Sequence, residues 1–370
     1  MFRILLRICT TLAIVWLSSR IAALALPISP GDIGTRDGIQ YWNSLQLLLK
    51  GENPYDPQAV VNLDATLGAY KSQPTMSFNP PWVPVFLSPI VSGNFSQAMW
   101  AWRLAQLILV VVIWRLVVPS HASREQKIVS GIALAAFYPL LDSFHSGQFG
   151  ILLALGITLI IRQRQLSFSL MSTTALVICL SKPHLFLPLF GYLVFDKSKI
   201  LITAACVCVA ASLASFGLEP LLFWIESIRA PLHPELITRV VDFRSDSLCS
   251  WTRGVFFDAG LGKSLWLMPV FACASLLSGY MVKKRAKDFE CDAPTLVLLG
   301  LLLTPYGWMS DYTILAPLII GPKAHLELAT QRLKVIALCV TSAGGAAVFG
   351  SAAHACAWVL VPLCRLLRIA

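Results

Sequence analysis

Residues 97–118 read QAMWAWRLAQLILVVVIWRLVV. Coiled as an α-helix, that stretch is about 33 Å long, enough to cross the roughly 30 Å hydrocarbon core of a bilayer. Similar apolar segments recur on both sides of it, at 4–26, 128–144, 148–161, 166–181, 184–195, 200–218, 264–282, 293–307, 311–322, 333–350 and 354–368. Composition agrees: 56% of the 370 residues are hydrophobic and 13% are charged, where soluble domains average about 25% charged. The chain therefore reads as an all-α polytopic membrane protein. Because apolar segments continue to the C-terminus, residues 4–26 read as a signal anchor rather than a cleaved leader.

Basic residues set the expected orientation. Arg3/Arg7, Arg124/Lys127, Arg162/Arg164, Lys197/Lys199, Lys283/Lys284/Arg285/Lys287, Lys323/Arg332/Lys334 and Arg365/Arg368 fall in alternate short loops, as cytoplasmic loops do under the positive-inside rule. The net charge of +10 is thereby assigned to topology and not to nucleic acid. With those loops inside, 27–79, 143–148, 182–184, 219–263 and 304–310 lie outside, and about twelve crossings leave both termini in the cytoplasm. Residues 80–93 resist this scheme. They are apolar but short, with Pro80, Pro81, Pro84 and Pro89, and counting them as a span would invert every later loop. A re-entrant or surface-lying element is expected instead.

The whole chain, 1–370, reads as one membrane domain, with a long first external loop and re-entrant region at 27–96 and a second large loop at 219–263. In the first loop Ile39, Trp42, Leu45 and Leu48/Leu49 recur at helical spacing while Gln40, Asn43 and Gln46 face away. This predicts an interfacial helix with its apolar side down and a stop at Gly51. The ten cysteines and six histidines show no metal or disulfide spacing, so no metal site is expected.

Five groups of residues stand out, all on the expected external side. Asp37, beside Arg36 and ahead of Tyr41-Trp42, can take a proton from an attacking hydroxyl; its bland reading is a helix N-cap. Lys182 and His184, in Ser181-Lys182-Pro183-His184, sit between two apolar segments. A lysine there needs a partner or a watery cavity, and a phosphate suits a compact ammonium. Gln148 follows the tight turn His145-Ser146-Gly147 and offers donor and acceptor to sugar hydroxyls. Trp308 and Asp311 lie in the broken segment 304–312. Arg239, Arg244 and Arg253 in the second loop are of the type that clamps phosphate.

These motifs, in this order, resemble the glycosyltransferase C superfamily and, within it, glycosyltransferase family 87, the polyprenyl-phosphate-mannose-dependent mannosyltransferases. The resemblance is carried by Asp37 with Tyr41-Trp42, by Gly51-Glu52-Asn53-Pro54-Tyr55-Asp56-Pro57, and by Asn79-Pro80-Pro81. Ser146 to Gly150, Ser181 to His184, Phe216-Gly217 with Trp224, and Thr304-Pro305-Tyr306 with Asp311 complete it. The chain departs from the pattern in placing Asp37 within Arg-Asp-Gly, in Asn79 where a tyrosine is usual, and in Ser310 before Asp311.

The resemblance implies an inverting, metal-independent transfer of a hexose, mannose, from a polyprenyl-phosphate donor to a lipid or glycan acceptor. It implies no cofactor, and a setting at the outer, periplasmic side of a bacterial plasma membrane. Asp37 would be the general base. Lys182, His184 and Arg244 would meet the donor phosphate, and Arg36, Tyr41, Asn53, Tyr55, Gln148, Trp308 and Asp311 the sugar or acceptor. The competing reading is a secondary transporter or lipid flippase, for which paired inverted halves are expected; no such repeat is visible. A non-catalytic scaffold in envelope-glycan assembly is a third.

Overall fold

Asn94 caps the long helix that opens the membrane region: its Oδ1 accepts from the Gln97 N–H at 3.0 Å. The helix then runs to Val117 and ends ahead of Pro119, which disfavours helical geometry in the residue before it. The computed structural model describes residues 37–68, 77–135, 137–163, 169–195, 197–229, 247–262, 264, 266–285, 289–305, 307 and 309–320. Among these, all regular structure is helical. In chain order the helices are α1 (Gly38–Leu49), α2 (Pro57–Thr66), α3 (Trp82–Val91), α4 (Phe95–Val117), α5 (Arg124–Ala135), α6 (Tyr138–Ser146), α7 (Gly150–Arg162) and α8 (Leu170–Cys179). A 3-10 turn at Pro183–Phe186 leads into α9 (Leu187–Leu193), followed by α10 (Ser198–Phe216), α11 (Glu219–Arg229), α12 (Leu248–Asp258), α13 (Leu267–Arg285) and α14 (Phe289–Leu303). A second 3-10 segment, Met309–Leu315, runs into α15 (Ala316–Ile320).

Two of these helices, α4 and α10, are long and apolar enough to cross a membrane, or three if the bent pair α8 and Pro183–Leu193 is one span. The faces of α4 explain why. Phe95, Ala98, Met99, Trp102, Arg103, Gln106 and Ile113 are buried, whereas Leu104, Leu107, Ile108, Val111 and Val112 stay exposed. An exposed apolar stripe of that size belongs against lipid.

The expected dozen crossings is not what the described residues show. Segment 128–144 does not form one helix: α5 ends at Ala135 and α6 starts at Tyr138, with Pro139 in the first turn of α6, where proline is favoured at a helix start and excluded from an interior. Within 166–181 and 184–195, Leu170–Cys179 and Pro183–Leu193 meet at a 118° bend, the form of one broken span or a re-entrant loop. Of segment 311–322, the described residues 311–320 belong to a 3-10 segment and one short helix. The expected spans 4–26, 333–350 and 354–368 lie outside the described residues. The proline-rich 80–93 stretch forms α3, ten residues with Pro89 inside. At about 15 Å it is half the length a crossing needs.

The first-loop helix also differs from its expectation. Gln40 and Asn43 are buried, so α1 is not a surface raft with a wet polar face. Asn43 Nδ2 donates to Asp64 Oδ1 of α2 at 2.7 Å, and Trp42 Nε1 donates to the Gly93 carbonyl at 2.9 Å. The polar stripe of α1 faces protein.

Close backbone approaches hold the later helices together, as small residues do in membranes. A Cβ on Gly279 of α13 would lie 1.8 Å from the Pro188 carbonyl oxygen of α9. Gly279→Ala therefore forces the two helices apart. The expected cost is about 1–3 kcal/mol, measured as a fall in the thermal unfolding midpoint of the detergent-solubilised protein.

Candidate active site

The turn that ends α6 is the hub. Gly147 adopts φ 76°, ψ 16°, the left-handed conformation in which glycine stops a helix. Its lack of a side chain is required a second time, since a Cβ there would lie 3.0 Å from the Gly38 Cα. The start of α1, and Asp37 with it, thus rests backbone-to-backbone on this turn. The turn is itself braced from α4, where Trp102 Nε1 donates to the Gly147 carbonyl at 2.9 Å and Gln106 Nε2 to the Gln148 carbonyl at 2.6 Å. Ser143 Oγ donates to the same Gln148 carbonyl at 3.1 Å. At the far side a Cβ on Gly150 would stand 2.2 Å from the Ser310 carbonyl oxygen and 2.9 Å from Ser143 Oγ. Gly150→Ala is expected to push the Met309–Leu315 segment off its seat and to cost about 1–3 kcal/mol, read from thermal unfolding alongside transfer activity.

Into this frame fall three more of the expected residues. Tyr41 donates its hydroxyl to Gln148 Oε1, with its ring 4.7 Å from that of Phe149. Lys182, at the bend between α8 and the Pro183–Phe186 turn, is 4% exposed. Its Nζ donates to Gln148 Oε1 at 3.2 Å and to Asp311 Oδ1 at 2.6 Å, and lies 5.2 Å from the centre of the Phe149 ring. Asp311 is fully buried. Residues 41, 148, 182 and 311 therefore converge from four separate segments of the chain.

Lys182 has a partner of the kind that a membrane lysine requires, the Asp311 carboxylate. The two residues expected on different ligands form one ion pair with no net charge. Asp37 starts α1 with φ −71°, ψ −21° and makes no side-chain capping hydrogen bond, so the bland N-cap reading does not describe its carboxylate. It is partly exposed, while its carbonyl accepts from the Gln40 N–H at 3.1 Å.

Asn53 and Tyr55 act at another corner of the loop. Asn53 Oδ1 accepts from the Tyr55 N–H at 2.9 Å, and the Tyr55 hydroxyl donates to the Asn79 carbonyl at 2.8 Å. Burial pushes the Tyr55 phenol above its usual range, which keeps it a neutral donor. These contacts fold the Gly51–Pro57 segment onto 77–81. His184 lies in the Pro183–Phe186 turn, half-buried. Arg36, Arg244 and Trp308 lie outside the described residues, as does Arg239. Arg253, one of the three second-loop arginines, is fully buried on α12.

Sequence reasoning missed the braces Trp102, Gln106 and Ser143. Gln106 carried a usable signal, an amide in the middle of an apolar span, which in a membrane marks a buried polar contact. Among the described residues no group of acidic, histidine or cysteine side chains is arranged to hold a metal ion.

No curated protein and no solved structure matches the chain. The sequence model of glycosyltransferase family 87 does, over residues 78–310. That stretch takes in the 147–150 turn and Lys182; it begins after Asp37 and stops one residue short of Asp311. Since it covers well over half of the chain, the protein belongs to glycosyltransferase family 87 and is a membrane glycosyltransferase.

Proposed function

We propose that the protein transfers a mannosyl group from a polyprenyl-phosphate donor to a hydroxyl of a lipid or glycan acceptor, at the external face of the plasma membrane. Asp37 accepts the proton of the acceptor hydroxyl as its oxygen bonds to the anomeric carbon. The bond from that carbon to the phosphate oxygen breaks, and polyprenyl phosphate leaves with the electron pair. Attack opposite the leaving group inverts the anomeric centre. The metal-independent route implied by the resemblance asks the protein's own cations and hydrogen-bond donors to stabilise the departing phosphate. His184 and the second-loop arginines are the candidates for that task.

One observation carries this reading: the backbone of Gly38, next to Asp37 at the head of α1, packs against Gly147, whose turn lies within the stretch matched by the family. An acid at a polar hub beside lipid-facing helices suits chemistry on a lipid-borne sugar. Family membership speaks against the transporter alternative. The test is to incubate the purified protein with radiolabelled polyprenyl-phosphate mannose and a membrane extract. A labelled glycolipid or glycan made only when the protein is present is the expected outcome. Label that stays on the donor, or that crosses vesicles without transfer, contradicts the proposal.

A further inference from the structure

We infer that Lys182, Asp311 and Gln148 are positioning residues that hold the Asp37-bearing turn of α1 through Tyr41, rather than groups that touch donor or acceptor. The inference rests on the reading of Asp37 as the base. An amide oxygen has two acceptor sites. Those of Gln148 take the Tyr41 hydroxyl and the Lys182 ammonium, leaving no acceptor site on that oxygen for a sugar hydroxyl. The ammonium has Asp311 at 2.6 Å and the Phe149 ring beneath it. Asp311 is sealed from solvent. A ligand reaches none of these atoms without breaking the cluster.

What the cluster does reach is α1. Tyr41 follows Asp37 by four residues, so the two share a helix face one turn apart. The Gly38–Gly147 backbone contact fixes the same turn from the other side. Asp311 polarises Lys182, Lys182 and Tyr41 share one oxygen, and Tyr41 sets the pitch of the turn that presents the carboxylate. Misplacement of a reacting group by about 1 Å costs on the order of a hundredfold in rate. The pair therefore acts on turnover while leaving donor binding alone.

The experiment measures kcat and donor KM per folded molecule, with donor supplied as polyprenyl-phosphate mannose in detergent. The variants are Tyr41→Phe, Lys182→Met, Asp311→Leu and the double Lys182→Met/Asp311→Leu, with Asp37→Asn run alongside. Tyr41→Phe loses one hydrogen bond, and a drop in kcat of about tenfold is expected. Each single charge removal is expected to lower kcat further, all with donor KM near wild type. The double variant, with no buried charge left unmatched, is expected to regain at least part of the lost kcat.

A raised donor KM that the double variant does not restore means that the ammonium binds substrate, and overturns the inference. So does a kcat per folded molecule that Tyr41→Phe leaves unchanged, which would make the cluster purely structural. Should a charge variant fail to fold, Tyr41→Phe alone decides between these outcomes. Turnover retained by Asp37→Asn is a separate failure, that of the base assignment.

Discussion

Asp37→Asn is expected to reduce transfer by about 10²–10⁴-fold in protein that remains folded. The substitution keeps size and shape but replaces a proton acceptor with an amide. Structural damage should be small for three reasons. Asp37 is partly exposed, its side chain makes no capping bond to α1, and the backbone bond from Gln40 to its carbonyl survives the change. Donor binding is expected to persist, so the loss falls on kcat. Steady-state assay with purified donor, paired with thermal unfolding, measures both. A variant that turns over at wild-type rate removes Asp37 from the chemistry.

Lys182→Met is expected to cause the largest loss of stability, about 3–5 kcal/mol. The reason is asymmetry. The intact pair already offsets the desolvation of both charges at 2.6 Å, whereas the variant leaves Asp311 buried with its counter-ion gone. The carboxylate must then either take up a proton or draw water into the bend. The double change Lys182→Met/Asp311→Leu removes both charges, and replacing a buried pair by apolar groups is often neutral or stabilising. A double-mutant cycle on thermal unfolding should therefore show the double variant more stable than Lys182→Met. Equal stability of Lys182→Met and wild type would show that the ion pair contributes nothing to the fold.

How much the sequence revealed depended on whether a feature was local. The span at 97–118 was legible because its apolar residues run without interruption, and α4 occupies Phe95–Val117; 200–218 and α10 agree for the same reason. The break in 128–144 was written in Pro139, but an apolar count is blind to one proline's geometry. The polar stripe on α1 had the right period and the wrong interpretation. Periodicity separates two faces without saying whether water or Asp64 meets the second one. The Lys182–Asp311 pair spans 129 residues. Sequence reasoning stated that this lysine requires a partner, but only folding could select which acid serves. Family membership was legible from the order of short motifs, each readable from neighbouring residues alone.

The most direct test of the Asp37 assignment uses a nucleophile that carries no proton. In Asp37→Ala, added azide can attack the anomeric carbon without a base, so the account predicts that azide restores donor consumption and yields mannosyl azide inverted at that carbon. Folded, donor-binding Asp37→Ala protein that forms no azide adduct at any azide concentration would contradict it.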